Sequence, residues 1–217
     1  MTEKVKIKIW SDYVCPFCML AEGPIAEATE GLDVEIEWQP FELRAKPQPT
    51  LRPEDEYLPS IWKRAVYPMA RRLGVDVTLP TVSPQPYTDL AFEGFQYAKE
   101  HGKGNEYTDR MFRAFFQENQ DLGQLDVLER LAGEIGLDTA EYRTALENGT
   151  YTKAHKSALR EAEAHRVQVV PTILIGDHRI EGVPGVAQLR KAVLDAQAEL
   201  AEAEEYPEGA ACGINGC

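Results

Sequence analysis

Two cysteines near the start of the chain, Cys15 and Cys18, have two residues between them. Such a pair can open and close a small disulfide ring, which is redox chemistry. Residues 19–29, which follow the pair, have apolar positions at helical intervals. A helix N-terminus stabilises a thiolate through its free N–H groups and partial positive charge. The sequence therefore predicts Cys15 as an exposed attacking thiolate and Cys18, about one turn further on and buried, as the resolving thiol.

A second pair, Cys212 and Cys217, lies at the end of the chain with four residues between its members. It could exchange electrons with the first pair, or form an incidental surface disulfide, or remain as free thiols. The final helix would run about 30 Å from the active site if it has twenty residues, whereas twelve tail residues reach at most about 40 Å. We therefore predict a second redox pair whose contact with the first is feasible but not favoured by length alone.

Other potential metal ligands are weaker candidates. Four thiolates spaced as these are could bind zinc, but zinc sites rarely have a proline inside the pair at a strand-to-helix junction. The four histidines have no ligand spacing and are predicted at the surface or in capping positions: His101, His155, His165 and His178. Of these, His165 is nearest to the proposed site along the sequence and could tune Cys15. We predict no metal site.

The elements that must position the cysteines form a strand, helix, strand order. Residues 4–10 alternate between charged and apolar side chains, as a half-exposed strand does, and Val34, Ile36 and Trp38 alternate with glutamates up to Pro40. A strand, helix and strand within about forty residues form a βαβ unit with parallel strands. The apolar stripe Tyr107, Met111, Phe115 is typical of the helices expected after it.

The remaining chain divides into helical and β-rich parts. We predict a discontinuous α/β part in residues 1–43 and 166–205, an inserted helical domain in residues 44–165, and a flexible tail in residues 206–217. Within the insertion we predict helices over residues 54–73, 125–135, 138–149 and 150–165, with an aromatic core that in part lines a peptide groove. A β-rich run over residues 169–176, a partner strand over 179–183 and a helix over 185–204 follow.

Composition restricts the partners and the location. The chain has 217 residues and a formal net charge of −13, which argues against a nucleic-acid or anionic-membrane partner because both would be repelled. The N-terminal residues lack the apolar core of a signal peptide, and no segment approaches about 18 unbroken apolar residues. We therefore expect a cytoplasmic protein, where paired cysteines are more often catalytic, redox-sensing or metal-binding than structural.

Four segments together resemble a known family: residues 11–18 (SDYVCPFC), residues 34–43 (VEIEWQPFEL), residues 170–172 (VPT) and the terminal Cys212/Cys217 pair. The chain resembles the DsbA-like branch of the thioredoxin superfamily, and within it the FrnE-like group of dithiol-disulfide isomerases. The resemblance covers nearly the whole chain. It implies an α/β thioredoxin-like fold with an inserted all-helical domain.

The resemblance also implies roles for the residues around the cysteines. The peptide bond before Pro171 should be cis and should face the cysteines, with the backbone of Val170 open to an extended substrate. Substrate contacts are implied at Pro16, Phe17, Val170 and Thr172. The implied activity is thiol–disulfide oxidoreductase or isomerase, acting on protein thiols and disulfides. Glutathione or another thiol redox protein would be the electron partner, and no bound cofactor is needed because the dithiol carries the electrons.

Two other functions remain open from the sequence. A glutathione-dependent isomerase or transferase of the kappa type shares this architecture, but such enzymes typically have serine where Cys15 stands and need no Cys18. A redox sensor or zinc-responsive binding module, in which the tail pair controls a partner, is the non-enzymatic alternative.

Overall fold

The computed structural model describes residues 4–205, so the Cys212/Cys217 pair and the predicted tail lie outside the described residues. The elements in chain order are β1 (Val5–Ser11), α1 (Pro16–Thr29), β2 (Val34–Pro40), α2 (Tyr57–Ile61), a π-helical turn (Trp62–Val66), α3 (Tyr67–Leu73), α4 (Asp89–Glu100), α5 (Gly104–Phe116), α6 (Leu125–Glu134), α7 (Thr139–Glu147), α8 (Thr152–Ala164), β3 (Thr172–Ile175), β4 (His178–Glu181) and α9 (Val186–Glu205).

The strands form one four-stranded sheet in the order β2, β1, β3, β4. β1 pairs in parallel with β2, as the βαβ pattern predicts, and antiparallel with β3, which in turn pairs antiparallel with β4. Ile9 lies at the centre, opposite Trp38 on one side and Ile173 on the other. The fold is thioredoxin-like with helices inserted between β2 and β3.

Helices cover both faces of the sheet. Ile7 and Ile9 are fully buried in the main hydrophobic core, to which α1 and α9 also contribute. The alternate residues of β1 point to the other face, where Lys8 donates to Glu161 of α8 at 2.6 Å and Trp10 packs with Ala162. α8, predicted as the last helix of the insertion, therefore covers the second face of the sheet, and the division into two domains remains a prediction.

The predicted aromatic core is confirmed. Phe92, Phe95, Phe112, Phe115, Phe116 and Trp62 are all at most 3% exposed. They belong to the same continuous cluster as the apolar side chains of β1. The edge of the Trp38 ring on β2 meets Phe112 on α5, with the ring centroids 6.0 Å apart. The sheet and the inserted helices therefore share one core.

The secondary structure differs in three places from what the sequence predicts. Residues 54–73 form two α-helices joined by the π-helical turn rather than one helix, and α4 was not predicted as an element. The β-run starts at Thr172 instead of residue 169, and residues 169–171 form a bent segment before it. Of the helices within residues 4–205, none is long and apolar enough to cross a membrane.

Candidate active site

Cys15 occupies the N-cap position of α1, with an extended backbone (φ −94°, ψ 108°). Its N–H donates to the carbonyl of Asp12 at 3.0 Å, and its own carbonyl accepts from Cys18 N–H at 3.0 Å. Pro16 is well suited to the first helical position, where its missing N–H would have no helical partner. The motif therefore sits at the start of the helix, as the sequence predicts.

The two thiols differ in burial, although less than expected. Both are free; Cys18 is fully buried, whereas Cys15 keeps 5% exposure. Burial raises the pKa of the Cys18 thiol well above its ordinary value, and the neighbouring Cys15 thiol adds to that rise. The expectation of an exposed Cys15 is therefore wrong for this state, because neighbouring residues cover most of the residue. What remains accessible opens into a cavity.

The segment before β3 covers the cysteine pair. The Cys15 thiol lies 3.6 Å from the carbonyl oxygen of Val170, to which it can donate, and the Val170–Pro171 bond is cis, as the resemblance implies. The carbonyl of Pro171 accepts from Gly182 N–H at 2.8 Å. The expected substrate contact at Thr172 has no support here, since Thr172 is 0% exposed and its hydroxyl donates to Val169 at 2.6 Å.

The cavity beside Cys15 has a volume of about 270 Å³. Its lining joins the start of α1 to the inserted helices and to the segment before β3, and includes Phe17, Leu43, Leu58, Trp62, Val169 and Val170. Leu43, Tyr57 and Val169 are 40%, 59% and 45% exposed, which is unusual for large apolar side chains. Gln85 and Gln168 supply polar side chains to this lining, and among the described residues it contains no charged one. The cavity suits an uncharged, apolar occupant.

Asp12 has a buried carboxyl and lies in the SDYVCPFC segment, where the sequence predicts no role for it. It is 1% exposed, and its carboxylate accepts from Leu43 N–H at 2.7 Å and from Val14 N–H at 3.4 Å. Burial raises its pKa to about 6, while these N–H donors and the Thr88 side chain oppose the rise. Its position three residues before Cys15 was visible in the sequence, but its burial was not.

The remaining predicted residues lie in different surroundings. The His165 ring packs on Trp10, with centroids 4.9 Å apart, and His165 is not among the residues that line the cavity. His155, predicted at the surface or in a capping position, is buried within α8 and bonded to the Glu42 side chain. Among the side chains of residues 4–202, no group of three or more His, Cys, Asp and Glu could hold a metal ion. The zinc alternative that uses Cys212 and Cys217 falls outside that range.

Comparisons with known proteins agree with this architecture. The chain is 50% identical over 195 residues to the uncharacterized protein YwbO of Bacillus subtilis (strain 168), a match that covers 89% of this chain and 98% of that protein. It is similar in structure to the probable DsbA oxidoreductase SCO1869 from Streptomyces coelicolor, with a TM-score of 0.74, 22% identity and 98% of each chain covered.

The cytosolic disulfide reductase DsbM from Pseudomonas aeruginosa, solved with GSH, is also similar, with a TM-score of 0.65 and 16% identity over 93% of this chain and 100% of that one. At these identities the two structures show a shared fold. The family model of the DSBA-like thioredoxin domain matches residues 6–194. A sheet of the order β2, β1, β3, β4, a Cys-x-x-Cys pair at the start of α1 and a family match over most of the chain lead to one conclusion: the chain belongs to the family of DSBA-like thioredoxin domains.

Proposed function

We propose that this protein is a thiol–disulfide oxidoreductase or isomerase that acts on protein disulfides through a mixed disulfide at Cys15, resolved by Cys18. The observation that carries the proposal is the position of Cys15 at the N-terminus of α1, beside a cavity, with the fully buried Cys18 one turn behind it. Within the family we propose the FrnE-like group, because the Cys15/Cys18 motif occurs together with the terminal pair Cys212/Cys217.

In the reducing direction, the Cys15 thiolate attacks one sulfur of a substrate disulfide. A bond forms between Cys15 and that sulfur, and the second substrate sulfur leaves as a thiolate that takes up a proton. Cys18 then loses its proton and attacks Cys15, which forms the Cys15–Cys18 disulfide and releases the first substrate sulfur as a thiol. Two electrons pass from the cysteine pair to the substrate. An external thiol reductant must then supply two electrons to reduce the Cys15–Cys18 disulfide again. Oxidation is the reverse sequence. Isomerisation ends when another substrate thiolate attacks the substrate sulfur of the mixed disulfide, which forms a new substrate disulfide and releases Cys15 as a thiolate.

The surroundings of Cys15 favour a peptide over glutathione as the substrate. Glutathione carries two carboxylates and an ammonium group, and charged ligands are usually held by side chains of opposite charge. The described lining of the cavity offers apolar side chains and the two glutamines instead. Pro16, Phe17 and Val170 would contact the peptide. Glutathione or another thiol redox protein is proposed only as the electron partner, which the similarity to DsbM, solved with GSH, supports. The same lining and the two thiols argue against a kappa-type, glutathione-dependent isomerase.

We also propose that Cys212 and Cys217 exchange electrons with the first pair, and that the protein works in the cytoplasm. The first proposal is supported by the close spacing of the two tail cysteines. The second is supported by the similarity to DsbM, which is described as cytosolic. Subcellular fractionation with an antibody to the native chain tests the location, and recovery outside the cytoplasmic fraction would contradict it.

A redox titration combined with insulin reduction and refolding of scrambled ribonuclease tests the mechanism. Cys15→Ser should abolish both activities, because it removes the nucleophile. Cys18→Ser should trap a mixed disulfide with the substrate that mass spectrometry detects at Cys15. The double variant Cys212→Ser/Cys217→Ser should change turnover or coupling to the reductant without abolishing exchange. Unchanged activity in Cys15→Ser would refute the mechanism, and zinc in metal analysis of the reduced protein would favour the binding-module alternative.

A further inference from the structure

A buried polar pair behind the cysteine motif has no part in the mechanism above. Nε2 of His155 on α8 lies 2.6 Å from Oε1 of Glu42, which follows β2. The side chains of His155 and Glu42 are only 4% and 7% exposed. Groups that can carry charge are costly to bury, so a pair this well covered needs a physical reason.

Glu42 is fixed between two hydrogen bonds to the stretch that leads to Cys15. Phe41 N–H donates to the carbonyl of Ser11 at 2.9 Å, and Leu43 N–H donates to the Asp12 carboxylate at 2.7 Å. The side chain of Leu43 then forms part of the cavity beside Cys15. The position of Glu42 therefore determines how a wall of the cavity sits against the cysteine loop.

His155 is also linked to the cysteine loop through stacked aromatic rings. Its ring stacks on Phe92 of α4, with centroids 5.7 Å apart and planes 14° apart. Phe92 in turn stacks on Tyr13, with centroids 4.4 Å apart. Tyr13 adjoins Asp12 in the sequence and precedes Cys15 by two residues. These contacts form a closed set, which we call the contact circuit. Its members are Asp12, Tyr13, Glu42, Leu43, Phe92 and His155.

Stability alone does not account for the pair. Replacing a buried ionisable pair by apolar side chains of similar volume is often neutral or stabilising. A hydrogen bond holds its two groups at one distance and angle, whereas an apolar contact does not fix the relative orientation of two side chains. We propose that Glu42 and His155 are positioning residues, whose bond holds Leu43 and the cysteine loop in the arrangement that presents Cys15 to a peptide disulfide. This inference rests on the proposed function of Cys15.

The test replaces the bond while keeping the packing. In Glu42→Met/His155→Phe both side chains become apolar but keep a similar size, and the aromatic ring can still stack on Phe92. The unfolding free energy should stay close to that of the wild-type protein or rise. Exchange of the Leu43 amide hydrogen should become at least about tenfold faster, because its bond to Asp12 opens more often. The kcat/KM for a fluorescent peptide disulfide should fall at least about tenfold, since small misplacements of reacting groups are costly.

Two further variants control this result. Glu42→Gln keeps an oxygen that can accept from His155 and should lie between the wild-type protein and the double variant in both measurements. Glu118→Gln weakens another ion pair, that of Glu118 with the buried Arg110, where the nitrogen and oxygen lie 2.7 Å apart. It should leave Leu43 exchange and kcat/KM unchanged, because Glu118 follows α5 and does not belong to the contact circuit.

The outcomes separate this inference from the proposed function. If the double variant keeps wild-type Leu43 exchange and kcat/KM, or if Glu118→Gln lowers them equally, the positioning role is wrong. If the wild-type protein shows no exchange with disulfides, the proposed function fails. The rate of iodoacetamide alkylation at Cys15, together with Leu43 exchange, then still decides whether the pair holds the loop. If the double variant leaves both of these rates unchanged, the positioning role is wrong in that case as well.

Discussion

Asp12 carries a buried carboxyl whose charge costs more in the folded protein than in the unfolded chain. Its ordinary pKa is 3.8, and burial raises the pKa to about 6 in the fold. The protonated form is therefore the one that folding favours. Its carboxylate nevertheless holds Leu43 N–H at 2.7 Å, which ties the cysteine loop to the wall of the cavity. Asp12 thus links the stability of the fold to the shape of the site.

We expect Asp12→Asn to remove a specific part of the pH dependence of stability. Because the folded pKa lies above the unfolded one, the stability contributed by protonated Asp12 is fully present below about pH 4 and is lost as pH rises through about 6. A pKa shift of this size corresponds to about 3 kcal/mol. Urea unfolding from pH 3.5 to 8 should show the wild-type protein losing up to that amount relative to Asp12→Asn. Parallel stability curves for the two proteins would contradict the expectation.

The two thiols should differ in reactivity, because Cys18 is fully buried and burial raises its pKa, whereas Cys15 lies beside the cavity. Iodoacetamide reacts with the thiolate and needs access to the sulfur. In the reduced protein at neutral pH, peptide mapping by mass spectrometry should therefore find Cys15 alkylated well before Cys18. Cys212 and Cys217 lie in a separate peptide, so their labelling does not interfere. Equal rates at Cys15 and Cys18 would contradict the assignment of attacking and resolving thiols.

Among the elements, local sequence patterns predict features that depend on neighbouring residues. They do not predict features that depend on contacts between residues far apart in the chain. The start of α7 is one success: a helix is predicted from residue 138, and the Asp138 carboxylate accepts from Glu141 N–H at 2.9 Å at the N-terminus of α7. The Glu141 side chain, however, lies 3.2 Å from the Tyr97 hydroxyl, which no local pattern could indicate. α4 was not predicted as an element, and its burial depends on side chains from α5 and α7. The Glu42–His155 pair was missed because its members are 113 residues apart.

Gly94 in α4 shows how such a contact constrains an element. The hydroxyls of Tyr107 and Tyr142 lie 2.7 Å apart and are buried against this helix, where the Tyr107 hydroxyl also donates to the Ala91 carbonyl at 2.9 Å. A Cβ added at Gly94 would collide with both hydroxyls. Glycine is therefore required at this position by the close approach of the two tyrosines, and not by its backbone conformation.

We expect Gly94→Ala to lower the unfolding free energy by about 1–3 kcal/mol, the usual cost of overpacking. Gly23→Ala is the matched control, because Gly23 lies in α1 with nothing within 4 Å of an added Cβ. It should gain up to about 1 kcal/mol from helix propensity. Equilibrium urea unfolding of both variants measures the two effects. A Gly94→Ala protein as stable as Gly23→Ala would show that the tyrosine pair moves aside at little cost.

At the scale of the molecule, the inserted helices and the sheet are joined by shared burial. Side chains of β1, α1, α4, α5 and α9 belong to one continuous cluster. Two aromatic contacts cross between the parts: Trp38 with Phe112, and Tyr13 with Phe92. The change of pattern at residue 44 predicts where the inserted helices begin. It gives no information on the packing between the two parts, because that packing joins residues far apart in the chain.

We therefore expect the reduced protein to unfold in a single cooperative transition, because both parts contribute to the same main buried cluster. The three tryptophans allow a direct test, since Trp10 and Trp38 lie in β1 and β2 and Trp62 lies among the inserted helices. Fluorescence of Trp62→Phe reports on the sheet, and fluorescence of Trp10→Phe/Trp38→Phe reports on the helices. Within each variant, the fluorescence and far-ultraviolet circular dichroism midpoints in urea should coincide. An earlier fluorescence transition of Trp62 alone would mean that the insertion unfolds independently, as a separate domain would.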